Sequence, residues 1–229
     1  MVTRQFSQPF VGSALGFILC LLSLGALSST VTGCSGKHVD ENDPAALFQE
    51  AEDDIKNDHF QFAIEKLRII KNKFPYSKYS IDAKLRIADV YFMQESYTEA
   101  ALAYESFRDL HPKNEKVPYA MFRIGKAYFS DIPNTVARDL VPAQKALDAF
   151  QEFLKRFPSA PEAAEAKNLV NDIRRLLAEK ELYVGNFYYR ESQWTSAKAR
   201  YAKIVDLYPE TQSAIEAQEK LKKLSEKIK

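Results

Sequence analysis

Four prolines, Pro75, Pro112, Pro158 and Pro209, each close a stretch with the same internal pattern. Counting back from each gives a small residue, Ala63, Ala100, Ala146 and Ala197, and four positions after it a large one, Leu67, Tyr104, Phe150 and Tyr201. An earlier segment of each copy carries a second small residue, Ala51, Ala88, Gly125 and Gly185. An aromatic follows it at Tyr91, Tyr128 and Tyr188, with Asp54 in that place in the first copy. Apolar residues in both segments recur at helical spacing, so each copy reads as two helices joined by a break. Small residues in facing turns let the two helices approach closely, and the large residue fills the space that remains. Proline then ends the second helix because it cannot extend the hydrogen-bond ladder. One such pair cannot bury its own apolar face, so the copies must stack. No window from residue 43 onward alternates with the period of a strand.

The unit resembles the tetratricopeptide repeat (TPR), a helix pair of about 34 residues. The fold expected is all-α, a right-handed solenoid of about four stacked TPR-like pairs with a C-terminal capping helix. The pattern predicts helices over 44–56 and 60–73, 80–94 and 97–110, 116–130 and 140–156, one long helix over 161–189, then 193–207 and 211–228. The third pair is interrupted by a nine-residue insertion, Asp131–Asp139, containing Pro133. Gly125 and Gly185 are the only glycines after residue 42 and both fall inside helices, at about 1 kcal/mol each against alanine, which implies a packing reason. The last helix is expected to cover the end of the array with Ile215, Leu221, Leu224 and Ile228.

Residues 1–33 do not fit this fold. Arg4 is the only charge before Lys37, and Val11–Leu27 is apolar and small. A membrane span needs about 20 predominantly apolar residues, whereas a short basic start with an apolar centre describes a secretory signal. It ends in Val31-Thr32-Gly33-Cys34, which resembles the bacterial lipoprotein box. The resemblance implies cleavage before Cys34 and acylation of that residue. Several acyl chains, at about 0.8 kcal/mol per buried methylene, anchor durably. Cys20 follows Leu19, too large for such a box, and leaves with the signal. Residues 34–42 then form an acylated end and tether, and 43–229 the solenoid, opening on Asp43-Pro44 as a helix start. Ser35 after the cysteine is compatible with outer-membrane sorting by the same resemblance.

Loss of the signal leaves 31 basic against 31 acidic residues, which argues against nucleic acid as a partner. His38, His59 and His111 have no metal-ligand spacing and there is no phosphate-cradling glycine loop. No catalytic residue, metal site or cofactor is therefore expected. Glu50, Glu52, Asp53 and Asp54 read as a solvated acidic helix face. The candidate site is instead a peptide groove along the first helices, lined by Phe48, Leu85, Phe92, Met93, Tyr119, Phe122 and Phe129.

More of the chain is similar to one family of TPR lipoproteins, BamD (also called ComL), over Cys34 to about Gln218. The similarity rests on the lipobox, Phe74-Pro75-Tyr76-Ser77, the insertion Ser130–Asp139, and Leu177-Ala178-Glu179-Lys180-Glu181 followed by Val184-Gly185-Asn186-Phe187-Tyr188. It implies a non-enzymatic scaffold of the outer-membrane β-barrel assembly (BAM) complex, lipid-anchored and facing the periplasm of a Gram-negative bacterium. Its implied partners are unfolded outer-membrane proteins, a BamA-like barrel protein bound through its POTRA domain, and other BAM lipoproteins. Arg200 matches the arginine with which the family meets BamA. The short lysine-rich tail after residue 218 departs from longer members. The alternative is an envelope TPR adaptor of the Tol or cell-division type, but residues 35–42 leave no room for the trimerising segment such proteins carry. A peptidoglycan hydrolase is opposed by the residue inventory.

Overall fold

The computed structural model describes residues 42–227; the expected signal segment, Cys34, most of the tether and Ile228 lie outside the described residues. Among the described residues all regular structure is helical, in the order α1 (Pro44–Lys56), α2 (Phe60–Lys73), α3 (Lys78–Met93), α4 (Tyr97–Leu110), α5 (Val117–Ser130), α6 (Val141–Arg156), α7 (Ala163–Arg190), α8 (Trp194–Leu207) and α9 (Gln212–Lys227). Each helix packs on its neighbours in the chain, and α7 also meets α9. This is a solenoid of four TPR-like pairs with a covering last helix, as the proline register implies.

Local chemistry sets the ends. The Asp43 side chain accepts from the Ala45 amide at 2.8 Å, with Pro44 opening the helix. The residue before each repeat proline, Phe74, His111, Phe157 or Tyr208, leaves the helical region with ψ between 47° and 61°. Its amide still donates to the carbonyl four residues back. The steric demand of the following proline ring enforces that departure.

Three of the four inter-helix turns are the same device. His59, Ser96 and Gln193 donate to the carbonyls of Asp54, Tyr91 and Tyr188, five residues earlier. The residue before each donor, Asp58, Glu95 or Ser192, sits at φ 58° to 60°. This is a Schellman-type closure built without glycine. In the third pair the equivalent donor is Pro133, which has no N–H, and the equivalent left-handed position is Ile132, whose β-branch disfavours positive φ. The first bonds of the turn still form, Asp131 to Ala127 and Ile132 to Phe129, but the third cannot. The chain therefore runs on as the insertion before α6.

Every repeat-defining small residue is buried, and Leu67, Tyr104, Phe150 and Tyr201 are fully so. The two glycines have the packing reason expected of them. A Cβ on Gly125 would lie 2.5 Å from the Phe150 ring, and one on Gly185 2.7 Å from that of Tyr201. Full burial of such a ring contributes roughly 2–3 kcal/mol, enough to offset the glycine penalty.

Stacking between pairs uses a second stripe. In α3 it is Ala83, Ile87 and Val90, which join the core of the first pair; in α5 it is Ala120, Ile124 and Ala127, all at most 2% exposed. The same register in α7 gives Lys180, Val184 and Phe187, and here Phe187 is 46% exposed. The first half of α7 takes over the stacking role, burying Ala163, Ala166, Ile173 and Leu177. The apolar side chains fall into two clusters, one holding the first pair with the Ala83 face of α3, the other running from Leu85 and Ala88 to Leu224.

Two expectations are corrected. Helix α9 covers the array with Ala214, Ala217 and Leu224, while Ile215 is 54% exposed, because close approach of α9 to α8 selects small residues over large ones. The acidic face of α1 is also more than a solvated surface. Lys66 pairs with Asp54 and Glu50, and Glu52 forms a two-pronged pair with Arg86 of the next unit.

Candidate functional site

The first helices of the second and third pairs carry one phrase in the same register, Leu85-Arg86-Ile87 through Tyr91-Phe92 and Phe122-Arg123-Ile124 through Tyr128-Phe129. Its arginines organise the site. Arg86 meets Glu52 with Nε on Oε1 at 2.6 Å and Nη2 on Oε2 at 2.8 Å, a charge-assisted fork. Thirty-seven positions on, the equivalents of Glu52 and Arg86 are Asp89 and Arg123. Aspartate is one methylene shorter, and Asp89 is otherwise engaged. Its Oδ1 accepts from Tyr104 at 2.6 Å and Tyr119 at 2.8 Å, and its Oδ2 accepts from Arg86 at 3.4 Å. Arg123 donates Nε to the Tyr104 oxygen at 3.0 Å and lies 3.8 Å above the Phe92 ring. It forms no ion pair among the described residues.

Electrostatics keep this cluster in one state. Burial first, then the charge of Asp89, pushes the Tyr104 hydroxyl far above its ordinary value and that of Tyr119 up to about 12. Both stay protonated and donate to Asp89, which is 8% exposed. The cluster thus offers directed hydrogen bonds and a fixed positive charge beside aromatic rings, which are binding groups.

The groove residues expected from the sequence divide. Phe92 and Tyr119 come together around Arg123, whose guanidinium centre is 5.9 Å from the Tyr119 ring. Tyr119 also borders a cleft of about 540 Å³ with Pro118, Phe157, Pro158 and Pro161. Met93 is 43% exposed at the end of α3. Phe129 lines a different cleft of about 400 Å³, with Ile132 and Pro133 of the insertion and Ile173 and Leu176 of α7. Phe48 packs against Tyr79 at 5.7 Å between ring centroids. Leu85 and Phe122 leave the groove: they are 5% and 6% exposed, and Phe122 meets the rings of Phe150 and Phe153 inside the core. Their register turns them inward, toward the second helix of their own pair. Sequence reading missed Arg123 and Asp89; the repeated Arg-Ile step, one of its arginines lacking a glutamate 34 positions before it, was the available signal.

Arg200 lies at the other end, on α8. Its Nη1 donates to Glu181 Oε2 at 2.9 Å and its side chain is 40% exposed. Lys203 takes the other oxygen of Glu181 at 2.5 Å. The segment around Glu181 accounts for the unusual phrase in α7. Leu177 and Ala178 are buried, Lys180 donates to the carbonyls of Val136, Ala137 and Arg138, and Asn186 accepts from the Tyr201 hydroxyl at 2.8 Å. One lysine thus holds the insertion by three consecutive carbonyls.

Stacked helix pairs, with aromatic rings and a half-buried guanidinium on their first helices, define a TPR-like helical solenoid. The chain belongs to the YfiO family of outer membrane lipoproteins, whose model matches residues 40–228. Relatives named outer membrane protein assembly factor BamD agree with this. The one from Vibrio cholerae is 26% identical over 197 residues, covering 81% of this chain and 82% of the relative. That from Neisseria gonorrhoeae is 28% identical over 208 residues, covering 85% and 78%. The Caulobacter vibrioides protein is 25% identical, and the match covers 83% of this chain and 64% of that longer relative. A solved TPR protein from Parabacteroides merdae is similar over 80% of this chain and 60% of its own, at a TM-score of 0.41 and 17% identity, too loosely to add to the argument.

Proposed function

We propose that this protein is a non-enzymatic scaffold of the outer-membrane β-barrel assembly machinery. Acyl chains on Cys34 anchor it to the outer membrane, residues 34–42 are the tether, and the solenoid of 43–229 faces the periplasm. The name its relatives carry supports the machinery. The observation that carries the binding role is the half-open cluster of Phe92, Tyr119 and Arg123. Extended segments of unfolded barrel proteins lie there, with Met93, Phe129 and Phe48 as further apolar contacts. Apolar burial at about 25 cal/mol per Å², less the cost of ordering the segment, gives such a groove moderate affinity. A BamA-like protein docks through its POTRA domain on the fourth pair, where Arg200, held by Glu181, keeps its side chain 40% exposed.

The test is a pulldown from detergent-solubilised envelope with the tagged lipoprotein. Recovery of a large barrel protein with POTRA domains is expected, and Arg200→Glu reduces it while Phe92→Ala with Phe129→Ala does not. Recovery of Tol or cell-division proteins in its place would overturn the reading. Mass spectrometry of the mature protein is expected to find a diacylated, N-acylated Cys34 as its first residue, and an unmodified start elsewhere would remove the anchor.

A further inference from the structure

Two successive repeat interfaces in this molecule are built to one plan and finished differently. At the first, an acid on the preceding first helix grips the arginine of the next: Glu52 and Arg86, two bonds of 2.6 and 2.8 Å. At the second, the acid in that register is Asp89, and both its oxygens are already accepting from Tyr104, Tyr119 and Arg86. Arg123 is left with one bond, from Nε to an uncharged hydroxyl, and its two Nη groups meet no carboxylate among the described residues. The guanidinium is nonetheless fixed. Phe92 stacks on it at 3.8 Å and the rings of Tyr104 and Tyr119 flank it at 5.7 and 5.9 Å. Asp89 reaches Arg123 across the Tyr104 hydroxyl, and a half-buried, immobilised guanidinium with no carboxylate on its Nη groups is the arrangement that gains most from an incoming one. The desolvation cost has already been met in the fold, and the plane that would pair both oxygens is preset.

We propose that Arg123 is a carboxylate subsite of the groove, occupied by an acid group of the bound segment in the way Glu52 occupies Arg86. The inference rests on the groove reading and adds to it what the bound segment must carry. A neighbouring apolar side chain of that segment lies on Phe92 or in the cleft beside Tyr119. The carboxylate of a chain end and that of an acidic side chain present the same chemistry to Arg123.

Three probes test this on the full mature chain in detergent, by fluorescence anisotropy. The first is a six-residue peptide alternating glutamine and phenylalanine with a free C-terminus, the second its C-terminal amide, and the third that amide with one glutamine replaced by aspartate. The free acid is expected to bind at least tenfold more tightly than the amide, and recovery of affinity by the aspartate peptide would assign the subsite to side chains as well as chain ends. Arg123→Gln should bring acid and amide to equal affinity. Arg123→Lys keeps the charge without the fork and should retain only part of the preference, which also serves if the glutamine variant does not fold. Equal binding of acid and amide by the unaltered protein, or a preference that survives in Arg123→Gln, would overturn the carboxylate subsite and leave the groove standing. Failure of all three peptides to bind would remove the groove itself.

Discussion

The second and fourth helix pairs carry the same positions and use them differently. Both close on themselves through a small residue under a large ring, Ala88 with Tyr104 and Gly185 with Tyr201. Only the second pair also stacks with the stripe of its first helix, through Ala83, Ile87 and Val90; in the fourth, Lys180 of that stripe holds a loop and Phe187 faces solvent. A repeat position therefore does two separable jobs, closing a pair and stacking it on its predecessor. The fourth pair keeps the first and hands the second to the early turns of α7.

The largest effect that would sharpen this contrast is a charge in the stacking stripe. Val90→Asp, at a site with no exposure, is expected to cost about 4 kcal/mol, whereas Phe187→Asp costs under about 1 kcal/mol. Denaturant unfolding of both variants measures it, and comparable losses would erase the distinction. Next comes closure, which should not differ between pairs. Gly125→Leu and Gly185→Leu force a side chain into space held by Phe150 and Tyr201 and should each cost about 3 kcal/mol. Phe150→Ala combined with Gly125→Leu should lose less than the two single changes added together.

A smaller effect separates the polar centres. Tyr104→Phe removes a buried donor to Asp89 and should cost about 1–2 kcal/mol, against about 1 kcal/mol for Tyr201→Phe, whose partner Asn186 is uncharged and half-buried. The smallest is the pH dependence that Glu181 gives the fourth pair. Burial alone would raise the Glu181 carboxyl, but the hydrogen bonds and charges of Lys203 and Arg200 outweigh it and hold the group below its ordinary 4.5. A carboxylate depressed in the folded state contributes stability that is fully present above that ordinary value and is lost as pH falls through the lower, folded one. Melting of the unaltered protein followed below pH 4.5 should therefore show a decline that a variant with Arg200→Gln and Lys203→Gln shows less.

Most of the fold was legible because it depends on residues counted in register. Pro75, Pro112, Pro158 and Pro209 mark ends that the backbone obeys, and helix limits read from them agree within about two residues, in keeping with the usual fraying of helix boundaries. The insertion was legible as a length, but its cause lay in a hydrogen bond that Pro133 cannot donate, visible only once the other three turns are seen to share it. Ile215 was misplaced because a large apolar residue was weighed above Ala214 and Ala217, and close helix contact reverses that order. The grouping of side chains around Arg123 was half legible. Aromatic spacing pointed to Phe92 and Tyr119 but could not tell them from Phe122, whose ring turns into the core. Arg123 and Asp89 were passed over because a charge inside an apolar run reads as surface until its partners are known.

Helix α3 stands between the two apolar clusters, giving Ala83, Ile87 and Val90 to one and Leu85 and Ala88 to the other. In a linear array each element contacts only its neighbours, so cooperativity is limited by the weakest seam. Opening of α1 and α2 exposes one flank of α3 and leaves the other sealed. Amides of the first pair should therefore exchange with solvent as a group, ahead of those in α4 to α6, and do so without global unfolding. The N-terminal end of the molecule can then yield and re-form while the rest holds its shape.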